Sequence, residues 1–266
     1  MISLFDKLAA VLRRDLLIAI RHRTGFLVTA VGLLVQLAAF YFLSRSIGPA
    51  FRPKGVEYFP FLLIGTGLYT FFVLSAQAFL SAVQEAQQTG TMEVLMTTST
   101  APAELVILSS ISAFAGSLAN LTFYVFAGVA IFQAPTQVNA VSCVVVLAFS
   151  LGIAMAIGIG AAAIQITWQK GSALLWLMSS GVWLLSGAMF PIESLPRPLL
   201  LLGKMIPITH AVDGMRGAIL QGLSPRAMAP TLAALAGFTL VLLPLSLAGL
   251  SLSLRHARRG GTLSFY

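Results

Sequence analysis

Ionisable residues are scarce in this chain. Only 9% of its 266 residues are Asp, Glu, Lys or Arg, whereas 58% are apolar, and the mean hydropathy is +0.93. A soluble domain of this length needs far more polar surface than this composition provides. The composition therefore excludes a soluble globular protein and predicts an integral membrane protein of the all-α class.

Cysteine is almost absent as well. The one cysteine, Cys143, lies inside an apolar run, so the sequence offers no disulfide framework and no zinc-type ligand spacing. We expect this thiol to pack in the core as a small apolar side chain. We predict no metal site and no cofactor bound by this chain.

Catalytic motifs are missing too. The one Gly-Lys pair, Gly203-Lys204, has Pro198 where a phosphate-binding loop requires glycine. The chain also lacks a Gly-x-Ser-x-Gly elbow, a His-Glu-x-x-His motif and a carboxylate pair at helical spacing within an apolar run. Ser180 and His210 are typical of an intramembrane serine protease only superficially, because Met178 occupies the position where glycine is expected. The sequence predicts a protein that is not an enzyme and does not itself hydrolyse ATP.

Long apolar runs dominate what is present. Each is long enough to cross a hydrocarbon core of roughly 30 Å at 1.5 Å per helical residue. No ionised side chain lies in the middle of a run, unlike the ion relays of many secondary transporters, which favours an externally driven machine. Pro244 predicts a kink in the last run. The six predicted crossings are residues 24–44, 59–83, 103–132, 139–165, 172–190 and 228–254.

The positive charge predicts the orientation in the membrane. The formal net charge is +8, and basic residues flank the first and last apolar runs. Because cytoplasmic flanks are enriched in Lys and Arg, we expect both termini in the cytoplasm. We assign the basic balance to anionic lipid and topology rather than to nucleic acid. The flanking residues are Arg21, Arg23, Arg255, Arg258 and Arg259.

The N-terminal segment, residues 1–23, has apolar residues at helical spacing. Arg13, Arg14 and Asp15 interrupt the apolar run that a cleavable signal peptide would need. The pattern predicts an amphipathic helix at the membrane interface, ahead of a permease domain that covers residues 24–266.

Small residues mark one face of the fourth run. Ala154, Gly158 and Ala162 recur at i, i+4 and i+8, with Ala156 and Gly160 on an adjacent line. This spacing allows close helix packing in lipid, either within the chain or across a dimer.

A polar segment separates the second and third runs. Thr91 is a suitable N-cap and Glu93 stands in the first turn of a short helix predicted over residues 86–98. Met92, Leu95 and Met96 share one face of this helix. Spacing alone fits both a helix that docks into a groove on a soluble partner and a helix that lies flat on the lipid headgroups.

The series Glu85-x-x-x-x-Gly90-Thr91-Met92-Glu93-Val94-Leu95 resembles the coupling-helix segment of type-2 ABC exporter permeases. A second segment, residues 186–216, resembles the outer re-entrant region of the same family, in which we expect short helices over residues 191–227. The sequences at residues 13–17 and 209–216 are similar to those of multidrug-type members.

The resemblance implies a six-helix permease subunit in the inner membrane that acts with a second copy of itself. Two copies of a separate ABC ATP-binding subunit would hold ATP and Mg and drive export by alternating access. The solute would be an amphipathic drug, a lipid or a lipid-linked glycan. The implied partner-binding residues are Glu85, Thr91, Met92, Glu93, Leu95 and Met96. An ATP-independent channel or a structural membrane scaffold is the alternative.

Two sets of polar residues are candidates for a role in transport. His210, Asp213 and Arg216 follow each other at i, i+3 spacing, which fits either an outer gate or a solvated amphipathic turn. The amides of Gln36, Gln77 and Asn120 either line a pathway or form interhelical hydrogen bonds.

Overall fold

The computed structural model describes residues 23–90 and 102–260, and within these ranges the chain forms helices and turns without a strand. This confirms the all-α class. The predicted N-terminal interfacial helix falls almost wholly on residues 1–22, outside the described ranges. The helices are α1 (Arg23–Ile47), α2 (Tyr58–Gln88), α3 (Pro102–Ala130), α4 (Ala140–Trp168), α5 (Gly171–Leu177), α6 (Arg197–Lys204), α7 (Pro207–Leu220) and α8 (Ala229–Gly260).

Helix α2 forms the centre of the bundle. It is 31 residues long, and 83% of its most apolar stretch is buried inside the protein. A helix that is apolar on all sides has to be covered on all sides, and α2 packs against α3, α4 and α7. Its fully buried aromatic rings are Phe61, Phe71, Phe72 and Phe79.

Five of the described helices are long and apolar enough to cross a membrane, namely α1, α2, α3, α4 and α8. The predicted fifth crossing, residues 172–190, is not a single long helix. Helix α5 has seven residues and continues into a π-helical turn, Met178–Val182, and one last turn, Trp183–Leu185. The Ser180 hydroxyl donates to the Trp176 carbonyl at 2.5 Å, a bond that competes with the regular helical pattern.

Hydrogen bonds and ion pairs group the connecting segments at two ends of the bundle. At the end where α2 begins, Gln137 N donates to Ile219 O at 2.8 Å, and Lys54 pairs with Asp213 at 3.0 Å. At the end where α2 finishes, Gln84 Nε2 donates to Ser172 Oγ at 2.9 Å. The turn before α4 and helix α7 therefore lie at the opposite end from the start of α5.

The chain after Ser172 returns to the first end. Gly187 and Ala188 contact Arg216 beside Phe61, near the N-terminal end of α2. Residues 172–188 consequently run the length of the bundle, although their helix is broken by the π turn.

The small residues of α4 divide between two surfaces. A Cβ on Gly158 would collide with the Phe79 ring of α2, and Ala154 and Ala162 are fully buried. This line of small residues packs within the chain. Ala156 and Gly160, on the adjacent line, face a groove between α4 and α8.

Candidate functional site

The most highly connected polar side chain of the described residues is Arg216 on α7, which is only 4% exposed. Its Nε and Nη2 donate to the Phe61 carbonyl at 3.2 and 2.9 Å. Its Nη1 donates to the Gly187 carbonyl and its Nη2 to the Ala188 carbonyl, both at 2.8 Å. The guanidinium also lies 3.4 Å from the centroid of the Phe61 ring. We call Arg216 and these three backbone partners the Arg216 clamp.

Two glycines make the Arg216 clamp possible. Gly187 has φ +71°, a backbone conformation that favours glycine, and it turns the chain after the last turn that follows α5. A Cβ on Gly65, one helical turn after Phe61, would collide with both Arg216 Nη2 and the Ala188 carbonyl. The absence of a side chain at position 65 therefore allows α2, α7 and residues 187–188 to meet.

Nearby carboxylates partly offset the cost of burying the positive charge of Arg216. Burial lowers the pKa of Arg216 to about 9, while Asp213 and Glu193 act in the opposite direction. The guanidinium therefore stays protonated at neutral pH. Asp213 Oδ1 lies 3.9 Å from Arg216 Nη1. Its closer partner is Lys54 Nζ at 3.0 Å, and Lys54 also pairs with Glu193 Oε1 at 3.2 Å.

The three residues of the candidate outer gate do not form one cluster. Asp213 and Arg216 lie together, but Arg216 is buried whereas Asp213 is partly exposed. His210 Nε2 is instead 2.8 Å from the Lys204 carbonyl, with its ring 5.6 Å from that of Phe238. Sequence reasoning missed Lys54, the ion-pair partner of Asp213. The two residues lie more than 150 positions apart in the chain, and no local sequence pattern indicates that they pair.

The candidate pathway residues are also divided. Gln36 and Asn120 line one small cavity of about 20 Å³ between α1, α2 and α3. Gln77 is exposed, and its Nε2 donates to Ser81 Oγ at 3.1 Å on the same helix. Two buried hydroxyl pairs join α2 to α3 at this cavity, whose lining includes Ser117 and Tyr124. They are Ser75 with Ser117 at 2.8 Å and Thr66 with Tyr124 at 3.0 Å.

The implied partner-binding residues fall mostly outside the described ranges. Thr91, Met92, Glu93, Leu95 and Met96 all lie in residues 91–101. Glu85 is described, and it is exposed on the last turns of α2, where its carbonyl accepts from Thr89 N at 2.9 Å.

The C-terminal end of α2 is anchored by amides that the sequence placed in a polar turn. The predicted crossing ends at residue 83, but the helix continues to Gln88. Gln165 Nε2 donates to Gln87 Oε1 at 3.1 Å, and Gln165 Oε1 accepts from Gly171 N at 2.9 Å. Because these amides are paired between helices, the loss of hydropathy after residue 83 does not end the helix.

The fold and these contacts define a polytopic helical membrane protein whose described part has short helices at one end. The family model of ABC-2 type transporters matches residues 6–220, from the N-terminal segment to the last residue of α7. The chain belongs to this family. It is therefore the membrane-spanning permease component of an ABC transporter, not its ATPase, and the family implies pairing with an ABC ATP-binding subunit. Among curated proteins, no sequence matches the chain.

Proposed function

We propose that this chain is the permease subunit of an ATP-driven exporter in the inner membrane. Two copies of the chain and two copies of a separate ATP-binding subunit, which holds ATP and Mg, would form the complex. The solute is an amphipathic drug, a lipid or a lipid-linked glycan, and it moves outward by alternating access. Family membership over residues 6–220 is the observation that carries this proposal.

Six crossings with both termini in the cytoplasm belong to the same proposal. Five crossings correspond to the long helices. The remaining crossing is the broken helix of residues 172–188. Ser172 contacts Gln84 at one end of α2, and Gly187 and Ala188 share Arg216 with the Phe61 carbonyl at the other end. The short helices α6 and α7 then lie on the outer side of the membrane.

Helix α2 is the mechanical connection in this proposal. It runs without interruption from Phe61 in the Arg216 clamp to Gln88, a distance of about 40 Å at 1.5 Å per residue. Residues 86–88, where the predicted coupling helix over residues 86–98 begins, are instead the last residues of α2. Thr89 and Gly90 then lead directly to Thr91, the predicted N-cap of the coupling helix. A displacement of that helix by the ATPase would therefore be carried by α2 to residues 187–188 and α7.

The polar residues Lys54, His210 and Asp213 would form a gate at the N-terminal end of α2, the end away from the predicted coupling helix. Lys54 links the segment before α2 to Glu193 and Asp213, and His210 holds the end of α6 through the Lys204 carbonyl. Gln36 and Asn120, which line one cavity, are the amides that we propose for the solute pathway.

The coupling helix provides the direct test. Leu95→Asp places a charge in a desolvated contact with the ATPase, where losing the apolar contact and burying an unpaired charge cost several kcal/mol of docking. Glu93→Lys weakens coupling by reversing a charge at the contact. Val94→Asp, which adds the same charge outside the face shared by Met92, Leu95 and Met96, is the matched control. The measurements are co-purification of the ATPase and transport-coupled ATP hydrolysis in the same membranes.

We expect Leu95→Asp to lose the ATPase and Val94→Asp to retain most of it. A helix that lies on lipid gives a different result, because Glu93→Lys is then neutral or favourable beside anionic headgroups. Normal recovery and coupling in both Leu95→Asp and Glu93→Lys would contradict the docking assignment. Robust transport by the purified chain alone would favour the channel alternative.

A further inference from the structure

An apolar groove of about 450 Å³ runs along the surface where α4 and α8 pack together, over the halves of these helices that end near Trp168 and Ser253. The two helices run side by side in the same direction, because Gly152 is packed against Thr239 and Thr167 contacts Ser253. Between these two contacts the helices stay packed together, and small residues leave a groove on the surface of the pair. A Cβ on Gly160 or on Gly249 would find no atom within 4 Å.

The lining of the groove offers an occupant almost no unpaired hydrogen-bonding group. Its hydroxyls are already bonded within the protein, since Thr167 Oγ1 and Ser253 Oγ lie 2.8 Å apart and Ser246 Oγ donates to the Leu243 carbonyl at 2.9 Å. The remaining lining is aliphatic apart from Trp168. Such a surface favours a hydrocarbon occupant.

The length of the groove matches one leaflet of a bilayer. Its lining extends from Ala156 to Trp168 on α4, which is about 18 Å at 1.5 Å per residue. Half of a hydrocarbon core of roughly 30 Å is about 15 Å. Trp168 is 68% exposed at one end of the groove, and tryptophan is enriched where membrane helices meet the headgroups.

A positive charge stands beside that same end. Lys170 follows α4 after the left-handed residue Gln169. Its side chain is exposed, and among the described residues it forms no ion pair, in contrast to Lys54 and Arg216. A basic residue beside membrane helices at headgroup level is the feature that recognises anionic lipid headgroups. Arg255 lies two residues beyond Ser253 on α8, which places it on the opposite face of that helix from the groove.

We propose that the groove between α4 and α8 is a binding site for one acyl chain of an anionic phospholipid, whose headgroup is held by Lys170. The hydrocarbon chain occupies the space beside Gly160 and Gly249. The groove is distinct from the cavity lined by Gln36 and Asn120 and from the Arg216 clamp, so the proposal does not rest on the proposed export function.

Trp168 provides the reporter for the experiment. In a protein whose other two tryptophans are replaced, Trp176→Phe and Trp183→Phe, fluorescence is measured in vesicles of phosphatidylcholine containing a small fraction of brominated lipid. The brominated lipid is either phosphatidylglycerol or phosphatidylcholine, and bromine quenches tryptophan on contact. We expect brominated phosphatidylglycerol to quench Trp168 severalfold more effectively than brominated phosphatidylcholine at the same fraction.

Gly249→Leu fills the groove without a clash, because the space beside it is open. Gly237→Leu on the same helix is the matched control, since position 237 is equally open but does not line the groove. We expect Gly249→Leu to abolish the difference between the two brominated lipids and Gly237→Leu to retain it. An unchanged difference in Gly249→Leu would overturn the site.

The headgroup contacts are tested separately. Lys170→Gln should reduce the preference for phosphatidylglycerol by roughly fivefold. Arg255→Gln, on the face of α8 that points away from the groove, should leave the preference unchanged. Arg226→Gln, an exposed cation at the other end of the bundle, should leave it unchanged. Equal quenching by the two lipids in the unsubstituted groove would overturn the anionic assignment. Chemical cross-linking in the same vesicles measures dimerisation. If Gly249→Leu loses the cross-linked dimer while Gly237→Leu keeps it, a second copy of the chain occupies the groove, and this result would also overturn the proposal.

Discussion

A single buried arginine joins three separate parts of this permease. Arg216 meets three backbone carbonyls with its planar guanidinium, a geometry that the ammonium group of lysine does not reproduce. Carbonyl dipoles and the nearby Asp213 compensate for the loss of hydration. Removing the side chain would leave three inward-facing carbonyls that have lost these bonds.

The first prediction at this scale concerns stability. Arg216→Met should destabilise the protein by roughly 3–5 kcal/mol, as expected when one partner of a buried charged network is removed. Gly65→Ala should lower stability through the same contacts, because its Cβ collides with Arg216 and Ala188. The measurement is the thermal unfolding temperature of the purified protein in detergent.

Matched controls separate this effect from general sensitivity. Arg226→Met removes an exposed arginine, and Gly116→Ala adds a Cβ where no atom lies within 4 Å. Both should unfold within a few degrees of the parent protein. The double variant Arg216→Met with Gly65→Ala should lose less than the sum of the single changes, because the two residues share one contact. Additive losses would contradict the clamp.

Residue-scale features were only partly predictable. The i, i+3 spacing of Asp213 and Arg216 is visible in the sequence and places the two side chains together. The backbone partners of Arg216 are not visible, because carbonyl groups are present at every residue and the chain separation exceeds 25 positions for each of them. The need for glycine at position 65 follows from the same long-range contact.

At the scale of single elements, hydropathy located the helices better than it located their ends. The predicted first, third and fourth crossings begin within one residue of α1, α3 and α4. Helix α2 extends beyond its predicted end because Gln84 and Gln87 bond to Ser172 and Gln165. Hydropathy registers these amides as polar, whereas pairing between helices allows them to remain in the bundle.

The fifth run forms a less regular helix than its hydropathy indicates. Its composition is apolar enough for a crossing, yet the chain forms α5, a π turn and one last helical turn. Hydropathy measures transfer from water and carries no information on whether the backbone keeps a regular i to i−4 pattern. Ser180, bonded to the Trp176 carbonyl, is the local sign of the interruption.

Helix α7 carries the second prediction, because it presents Arg216 inward and Asp213 toward Lys54. Lys54→Ala removes both ion pairs that join α7, the segment before α2 and Glu193. Because these side chains are about a third or more exposed, the loss of stability should be at most about 1 kcal/mol. We expect Lys54→Ala, Asp213→Ala and His210→Ala to change the transport rate without preventing assembly with the ATPase.

Arg52→Ala is the control for the gate, since Arg52 is an exposed cation in the same segment and bonds only to the nearby Pro49 carbonyl among the described residues. Transport is measured in inverted membrane vesicles and assembly by co-purification. Unaltered transport in all three gate variants would show that these residues form a solvated amphipathic turn and not a gate.

At the scale of the whole molecule, long-range contacts add what hydropathy leaves open. The sequence predicts how many apolar runs exist, but not which turns share an end of the bundle. The bonds from Gln137 to Ile219 and from Lys54 to Asp213 assemble one end, and the bond from Gln84 to Ser172 marks the other. With these ends fixed, the broken helix after Ser172 has to traverse the bundle.

The last prediction follows from this arrangement. If residues 172–188 cross the membrane, the chain crosses six times and both termini lie on the same side, which the basic flanks assign to the cytoplasm. Single cysteines are introduced at Ser3, Gly261 and Gly48 in a background in which Cys143→Ala removes the one native thiol. A membrane-impermeant maleimide should label Ser3→Cys and Gly261→Cys only when the cytoplasmic face is accessible, and Gly48→Cys only from outside. Labelling of the two termini from opposite faces would show five crossings and would contradict a traverse by the broken helix.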